Sequence, residues 1–135
     1  MKELVIDAQV DKLNEVMAFI SEQLESLNCS MKATMQIEVA VEEIFVNIAN
    51  YAYAPESGQA TIQVEVINDP QAVVITFIDS GREYNPLAKD DPDVTLNAQE
   101  RQIGGLGIFM VKKSMDQVDY KYEGGKNIFS IMKNL

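Results

Sequence analysis

The chain contains no histidine and only one cysteine. Without an imidazole there is no Ser-His-Asp or Cys-His catalysis, no histidine metal ligand and no phosphohistidine intermediate on this chain. Any chemistry must come from carboxylates, amides, Lys, Arg and backbone groups. A lone Cys29 excludes an internal disulfide and lends no support to a secreted origin. Positive charge is also scarce: 11 Lys and Arg stand against 21 Asp and Glu, a net charge of −10. Such a surface repels a nucleic-acid backbone and anionic lipid, so neither is expected as a direct partner. No apolar run approaches the ~20 residues that span a bilayer, and the opening MKELVIDAQ has no hydrophobic segment of a secretory signal. The expected location is the cytoplasm.

What is present is enough apolar material for a core: 47% of 135 residues, the size of one domain covering 1–135. ELVI (3–6) reads as a short strand. Leu13, Val16, Met17, Ile20, Leu24 and Leu27 recur at three- and four-residue spacing, which predicts an amphipathic helix ending near Asn28. Ser30 can cap a second helix running to about Ala52, with Ile37, Val41, Ile44, Phe45 and Ile48 on one face and APESG ending it. TIQVEVI (61–67) alternates and predicts a half-buried strand. VVITFI (73–78) is almost continuously apolar and predicts a deeper one, with NDPQ as the turn between them. Residues 79–103 lose all periodicity, a length usual only for a lid or a disordered segment. Ile108, Val111 and Met115 then give a short helix, and VDYKY and NIFSIM around EGGK a terminal hairpin. This order predicts an α+β sandwich: one mixed, mainly antiparallel sheet with helices on one face.

Three stretches could carry chemistry. On the second helix Gln36, Glu43, Asn47 and Asn50 share a face, flanked by Val39, Ala40 and Val46. A Glu and an Asn at i,i+4 can divide a task, the carboxylate accepting a proton and the amide oxygen ligating Mg²⁺; the same stripe also suits a solvated helix face. DSGREYNP (79–86) leaves the apolar strand with an Asp that could face a ligand and a Gly that permits a close turn, or it is an ordinary strand-ending turn. IGGLGIF (103–109) places glycines before a helix, which suits either a phosphate cradle or a hinge. It has neither the Lys-Ser/Thr of a P-loop nor the G-x-G-x-x-G pattern. Lys112 and Lys113 lie beyond the first turn of that helix and read as solvated.

Taken in order, AVEEIFVNIANYAY (40–53), IDSGREYNP (78–86) and GGLGIFMVKKSMD (104–116) resemble the N, G1 and G2 boxes of the GHKL ATP-binding superfamily, and most of all its stand-alone branch, the bacterial anti-sigma-factor serine/threonine kinases. The resemblance implies a Bergerat-type fold binding ATP and Mg²⁺ beneath a lid at about 85–107. It implies Glu43 as general base, Asn47 as Mg²⁺ ligand, Asp79 on the adenine amino group and Gly81 where the base approaches. Tyr84 would be the aromatic residue of the first glycine box, and Gly104, Gly105, Leu106 and Gly107 would close on the phosphates. The branch's usual partners are a small antagonist protein phosphorylated on Ser or Thr and a sigma factor, and a second copy of the chain is a further candidate. The sequence departs from the pattern at Glu83, where a second glycine is common, at Tyr51, where a His often stands, and at Lys126-Asn127 in place of Gly-Thr. At the last, the Asn127 amide would substitute for a hydroxyl that helps hold adenine. Two other readings stand beside the kinase: a non-catalytic, ATP-gated protein-binding module, and an acidic interaction domain that takes no nucleotide.

Overall fold

The computed structural model describes residues 1–68, 70–88 and 105–135. It contains five strands, β1 (Lys2–Asp7), β2 (Gln59–Ile67), β3 (Ala72–Asp79), β4 (Gln117–Glu123) and β5 (Lys126–Asn134). The helices are α1 (Leu13–Glu25), α2 (Met31–Tyr51) and α3 (Gly105–Ser114), with short 3-10 turns at Val10–Lys12 and Pro86–Ala88. The sheet order is β1-β2-β3-β5-β4 and every neighbouring pair is antiparallel. The mixed sheet expected from the sequence is thus corrected to a wholly antiparallel one. Hairpins make β2–β3 and β4–β5 antiparallel by connection, and the chain returns from α3 so that β5, not β4, lies beside β3.

The α+β sandwich follows from where the apolar positions point. The inward residues of β2, β3 and β5, among them Ile62, Val64, Ile75, Phe77, Phe129 and Ile131, form one cluster with Val16 and Ile20 of α1, Ile37, Val41 and Phe45 of α2 and Val111 of α3. β3, third of five, carries the deepest alternation: Val73, Ile75 and Phe77 are buried, while Val74, Thr76 and Ile78 on the far face are half-buried. Because the period is 2, the next inward position falls on a carboxylate, Asp79. The helix boundaries have local causes. Asn28 adopts a left-handed φ of 56° just past α1, and the Ser30 hydroxyl accepts from the Ala33 N–H at 3.1 Å to cap α2. Among the described residues no helix is long and apolar enough to cross a membrane.

Candidate functional site

A cleft of about 540 Å³ opens between the C-terminal half of α2, the end of β3, the β4–β5 hairpin and α3. Its walls are mostly apolar, from Ile44, Ile48, Ile108 and Phe129, with Asn47, Asp79 and Asn127 as polar points. Such a mix suits a small organic ligand whose orientation a few polar groups fix.

At the sheet end, Asp79 and Asn127 are each only 6% exposed and stand opposite one another in the β3–β5 register. Asp79 Oδ1 accepts from the Gly81 N–H and from Asn127 Nδ2, both at 2.9 Å. Its second oxygen receives no hydrogen bond among the described residues, an acceptor left open on the wall of the cleft. Gly81 is required beneath it: a Cβ there would lie 2.3 Å from the Ala52 carbonyl oxygen. The segment after Asp79 is tied to the end of α2 by three bonds. The Ser80 N–H donates to the Tyr53 hydroxyl at 2.7 Å, the Arg82 N–H to the Ala52 carbonyl at 3.0 Å, and the Arg82 guanidinium to the Ala54 carbonyl. Asn127 closes the other side, donating also to the Arg82 carbonyl at 2.8 Å and accepting from the Tyr84 N–H at 3.1 Å and the Tyr120 hydroxyl at 2.5 Å. Burial raises the Tyr120 pKa above 10.0, helped by the nearby Glu83, Asp79 and Tyr122 charges and opposed by the Tyr84 backbone N–H. The hydroxyl is therefore a neutral donor across the physiological range.

At the other end, Glu43 lies one helical turn before Asn47 on α2 and outside the cleft lining. Its carboxylate packs against the first turn of α3, so close that a Cβ on Gly107 would lie 2.1 Å from Oε2. Among the described residues nothing hydrogen-bonds or ion-pairs with it. A carboxylate at a helix N-terminus is favoured by the orphan N–H groups and the dipole there.

Of the residues singled out from the sequence, Asn47, Asp79, Tyr84 and Asn127 meet on one cleft, Gly81 lies beneath it, and Glu43 and Gly107 touch at its far end. Gly105 opens α3 with Leu106 next to it. Gly104 and lid positions 89–104 lie outside the described residues. The other two members of the polar stripe stand away from the cleft lining: Gln36 is half-buried and Asn50 exposed. Lys113 is exposed as expected, its ammonium 5.5 Å from the Phe109 ring centroid. The Asn127 amide is engaged by protein groups at both N–H donors and twice at its oxygen. Tyr120, Arg82 and Phe129 were not legible as site residues. The available signal was the inward phase of VDYKY opposite NIFSIM, which sets Tyr120 beside Phe129 and one inward position from Asn127.

Residues 6–133 match the family model of the histidine kinase-like ATPase domain. The serine-protein kinase RsbW of Listeria monocytogenes serovar 1/2a is 27% identical over 104 residues, covering 73% of this chain and 65% of that protein. The chain therefore matches just under two thirds of that relative's length. The serine-protein kinase RsbW of Halalkalibacterium halodurans is 24% identical over 127 residues, 91% of this chain and 76% of that one. In fold, the chain is similar to the solved RsbU and RsbW domains of a Mycobacterium tuberculosis protein, with a TM-score of 0.69 and 18% identity over 100% of this chain and 33% of that one. It is also similar to the Acinetobacter baumannii histidine kinase AdeS, with a TM-score of 0.51 and 15% identity over 99% and 68%. Since the family match runs from β1 to β5 and takes in every residue that shapes the cleft, the chain belongs to the histidine kinase-like ATPase domain family.

Proposed function

We propose that the chain is a single ATP-binding domain acting as an ATP-dependent serine/threonine protein kinase, an anti-sigma-type regulator of transcription that phosphorylates a small antagonist protein in the cytoplasm. The observation that carries this reading is the buried Asp79 carboxylate with one oxygen open on an apolar cleft, while Glu43, without a hydrogen bond or ion pair among the described residues, lies just beyond the cleft lining against Gly107 of α3. The open oxygen suits the amino group of adenine, and the apolar walls suit its ring faces. The names of the two RsbW relatives support serine as the acceptor type. A sigma factor and a second copy of the chain are further partners in this reading, and nucleic acid is not a direct one.

In the proposed reaction Glu43 accepts the proton of a partner Ser or Thr hydroxyl as its oxygen bonds to the γ-phosphorus, the bond to the bridging oxygen breaks and ADP leaves. This chemistry asks mainly for positioning and charge neutralisation. The first-turn amides of α3 would face the phosphates. The Asn47 amide oxygen, on the cleft wall one turn from Glu43, would hold Mg²⁺, which supplies neutralisation of phosphate charge when bound.

Radiolabelled ATP with an antagonist-type protein carrying the acceptor hydroxyl tests this. Wild type labels the acceptor, and Glu43→Ala binds ATP but transfers about 10²–10⁴-fold more slowly. If both bind ATP and neither labels the acceptor, the kinase reading falls and the non-catalytic, ATP-gated module replaces it. Failure of ATP to bind at all would favour the acidic interaction domain.

A further inference from the structure

We infer that Asn127, completed by Tyr120, is the positioning residue that sets the Asp79 carboxylate for recognition of the purine amino group, and that it acts without touching the base; this rests on the ATP-binding reading of the cleft. A carboxamide has two N–H donors and an oxygen with two lone pairs, and Asn127 uses all four. Nδ2 donates to Asp79 Oδ1 at 2.9 Å and to the Arg82 carbonyl at 2.8 Å, while Oδ1 accepts from the Tyr84 N–H at 3.1 Å and the Tyr120 hydroxyl at 2.5 Å. The neighbours also fix which way round the amide lies. Two acceptors face the nitrogen and the Tyr84 N–H faces the oxygen, so a flipped amide would oppose like with like at Asp79, Arg82 and Tyr84, whereas the Tyr120 hydroxyl could turn to accept.

The consequence falls on Asp79. With Oδ1 held by the amide and by the Gly81 N–H, the carboxylate has one orientation and a single open oxygen. An acceptor without a donor of its own selects a ligand N–H and disfavours a carbonyl or a bare ring carbon at the same place. Tyr120 contributes by fixing Asn127, and its raised pKa keeps the donated hydrogen in place. The same amide bonds the backbone of Arg82 and Tyr84, so the setting of the carboxylate and the path of the segment leaving β3 are held by one side chain. A buried network of this kind specifies geometry only while every member is satisfied.

The test compares the affinities of two nucleotides, ATP and purine riboside triphosphate, which differ only by the 6-amino group, in direct binding assays. Wild type should prefer ATP by about 10- to 100-fold, the range for a hydrogen bond to a charged acceptor. In Asn127→Ala the preference should shrink to about 3-fold or less, chiefly through weaker ATP binding, because a carboxylate free to turn no longer presents one oxygen. Asn127→Thr, which restores one hydroxyl donor toward Asp79, should recover part of the preference. Tyr120→Phe keeps the ring and removes only the hydroxyl, so it should give the same change in smaller degree and carries the test if Asn127→Ala does not fold. An unchanged preference in folded Asn127→Ala or, where that variant does not fold, in Tyr120→Phe, overturns the inference while leaving ATP binding intact. A wild type that binds neither nucleotide overturns this inference together with the reading of the cleft.

Discussion

At the sheet end of the cleft, Asp79 sits in a web of hydrogen bonds that reaches β4, β5, the residues just past α2 and the segment after β3. At the α3 end, Glu43 meets the backbone of Gly107 with no hydrogen bond among the described residues. Both ends carry a carboxylate, and under the proposed function the difference lies in what each would do. A group that recognises a base gains from being fixed before the ligand arrives, since the ordering cost is then met during folding. A group that takes a proton must be free to meet its acceptor, and a partner that would hold it in the resting state is a hindrance. The two glycines repeat the contrast. A Cβ at Gly81 meets main chain, the Ala52 oxygen at 2.3 Å and carbon at 2.6 Å, whereas one at Gly107 meets the tip of a flexible side chain.

That contrast predicts opposite outcomes for one substitution made at either end. Gly107→Ala should carry the larger functional effect. The methyl group displaces the Glu43 carboxylate, so phosphoryl transfer should fall about 10²–10⁴-fold, as for loss of a general base, with some weakening of ATP binding. Stability should hold or rise slightly, because Ala is the better helix former by up to about 1 kcal/mol. Steady-state labelling of the acceptor alongside thermal unfolding checks both halves, and a large loss of stability would break the comparison. Gly81→Ala should do the reverse. Main chain has to move, at a cost of about 1–3 kcal/mol, and the unfolding midpoint should fall by roughly 3–5 °C per kcal/mol for a domain of this size. Any change in transfer rate should follow the fraction folded. Were the unfolding midpoint of Gly81→Ala unchanged, the sheet end would not be the rigid end.

How far the sequence discloses this arrangement depends on the range of the signal. Helices and the alternating strand are legible because apolar periodicity is local: the register of Val16, Ile20 and Leu24 or of Ile62 and Val64 places each face without knowledge of its partner. Ser30 is legible as a cap for the same reason. Asp79 is readable as a strand end, but its inward phase is not, because VVITFI before it is almost continuously apolar and shows its alternation only in burial. The role of Asn127 is not legible, since it depends on β5 pairing with β3 and on Tyr120 arriving from β4, contacts set by sheet order. The same non-locality explains the sheet mistaken for a mixed one. In the polar stripe, periodicity puts Gln36, Glu43, Asn47 and Asn50 on one face, but only the packing of α2 against α3 and the sheet end sets Asn47 on the cleft wall and Glu43 against Gly107.

The smallest expected effect concerns the outermost bond of the rigid end. Burial, with the charges of Glu83, Asp79 and Tyr122, raises the Tyr120 pKa above 10.0, so the folded protein holds the phenolic proton more tightly than the unfolded chain does. Between the two pKa values the unfolded state binds fewer protons, and stability falls as pH rises. The Tyr120 contribution is therefore complete below pH 10, the unfolded value, and is lost as pH climbs through the higher folded value. Tyr120→Phe removes one hydrogen bond and should destabilise by about 1 kcal/mol at neutral pH. The gap between wild type and this variant should narrow above pH 10, where the other tyrosines cancel in the difference. Thermal unfolding of both proteins from pH 7 to 11 measures that gap. If it stays constant through the alkaline range, Tyr120 titrates alike folded and unfolded, and the fixed region would have to end at Asn127 on β5.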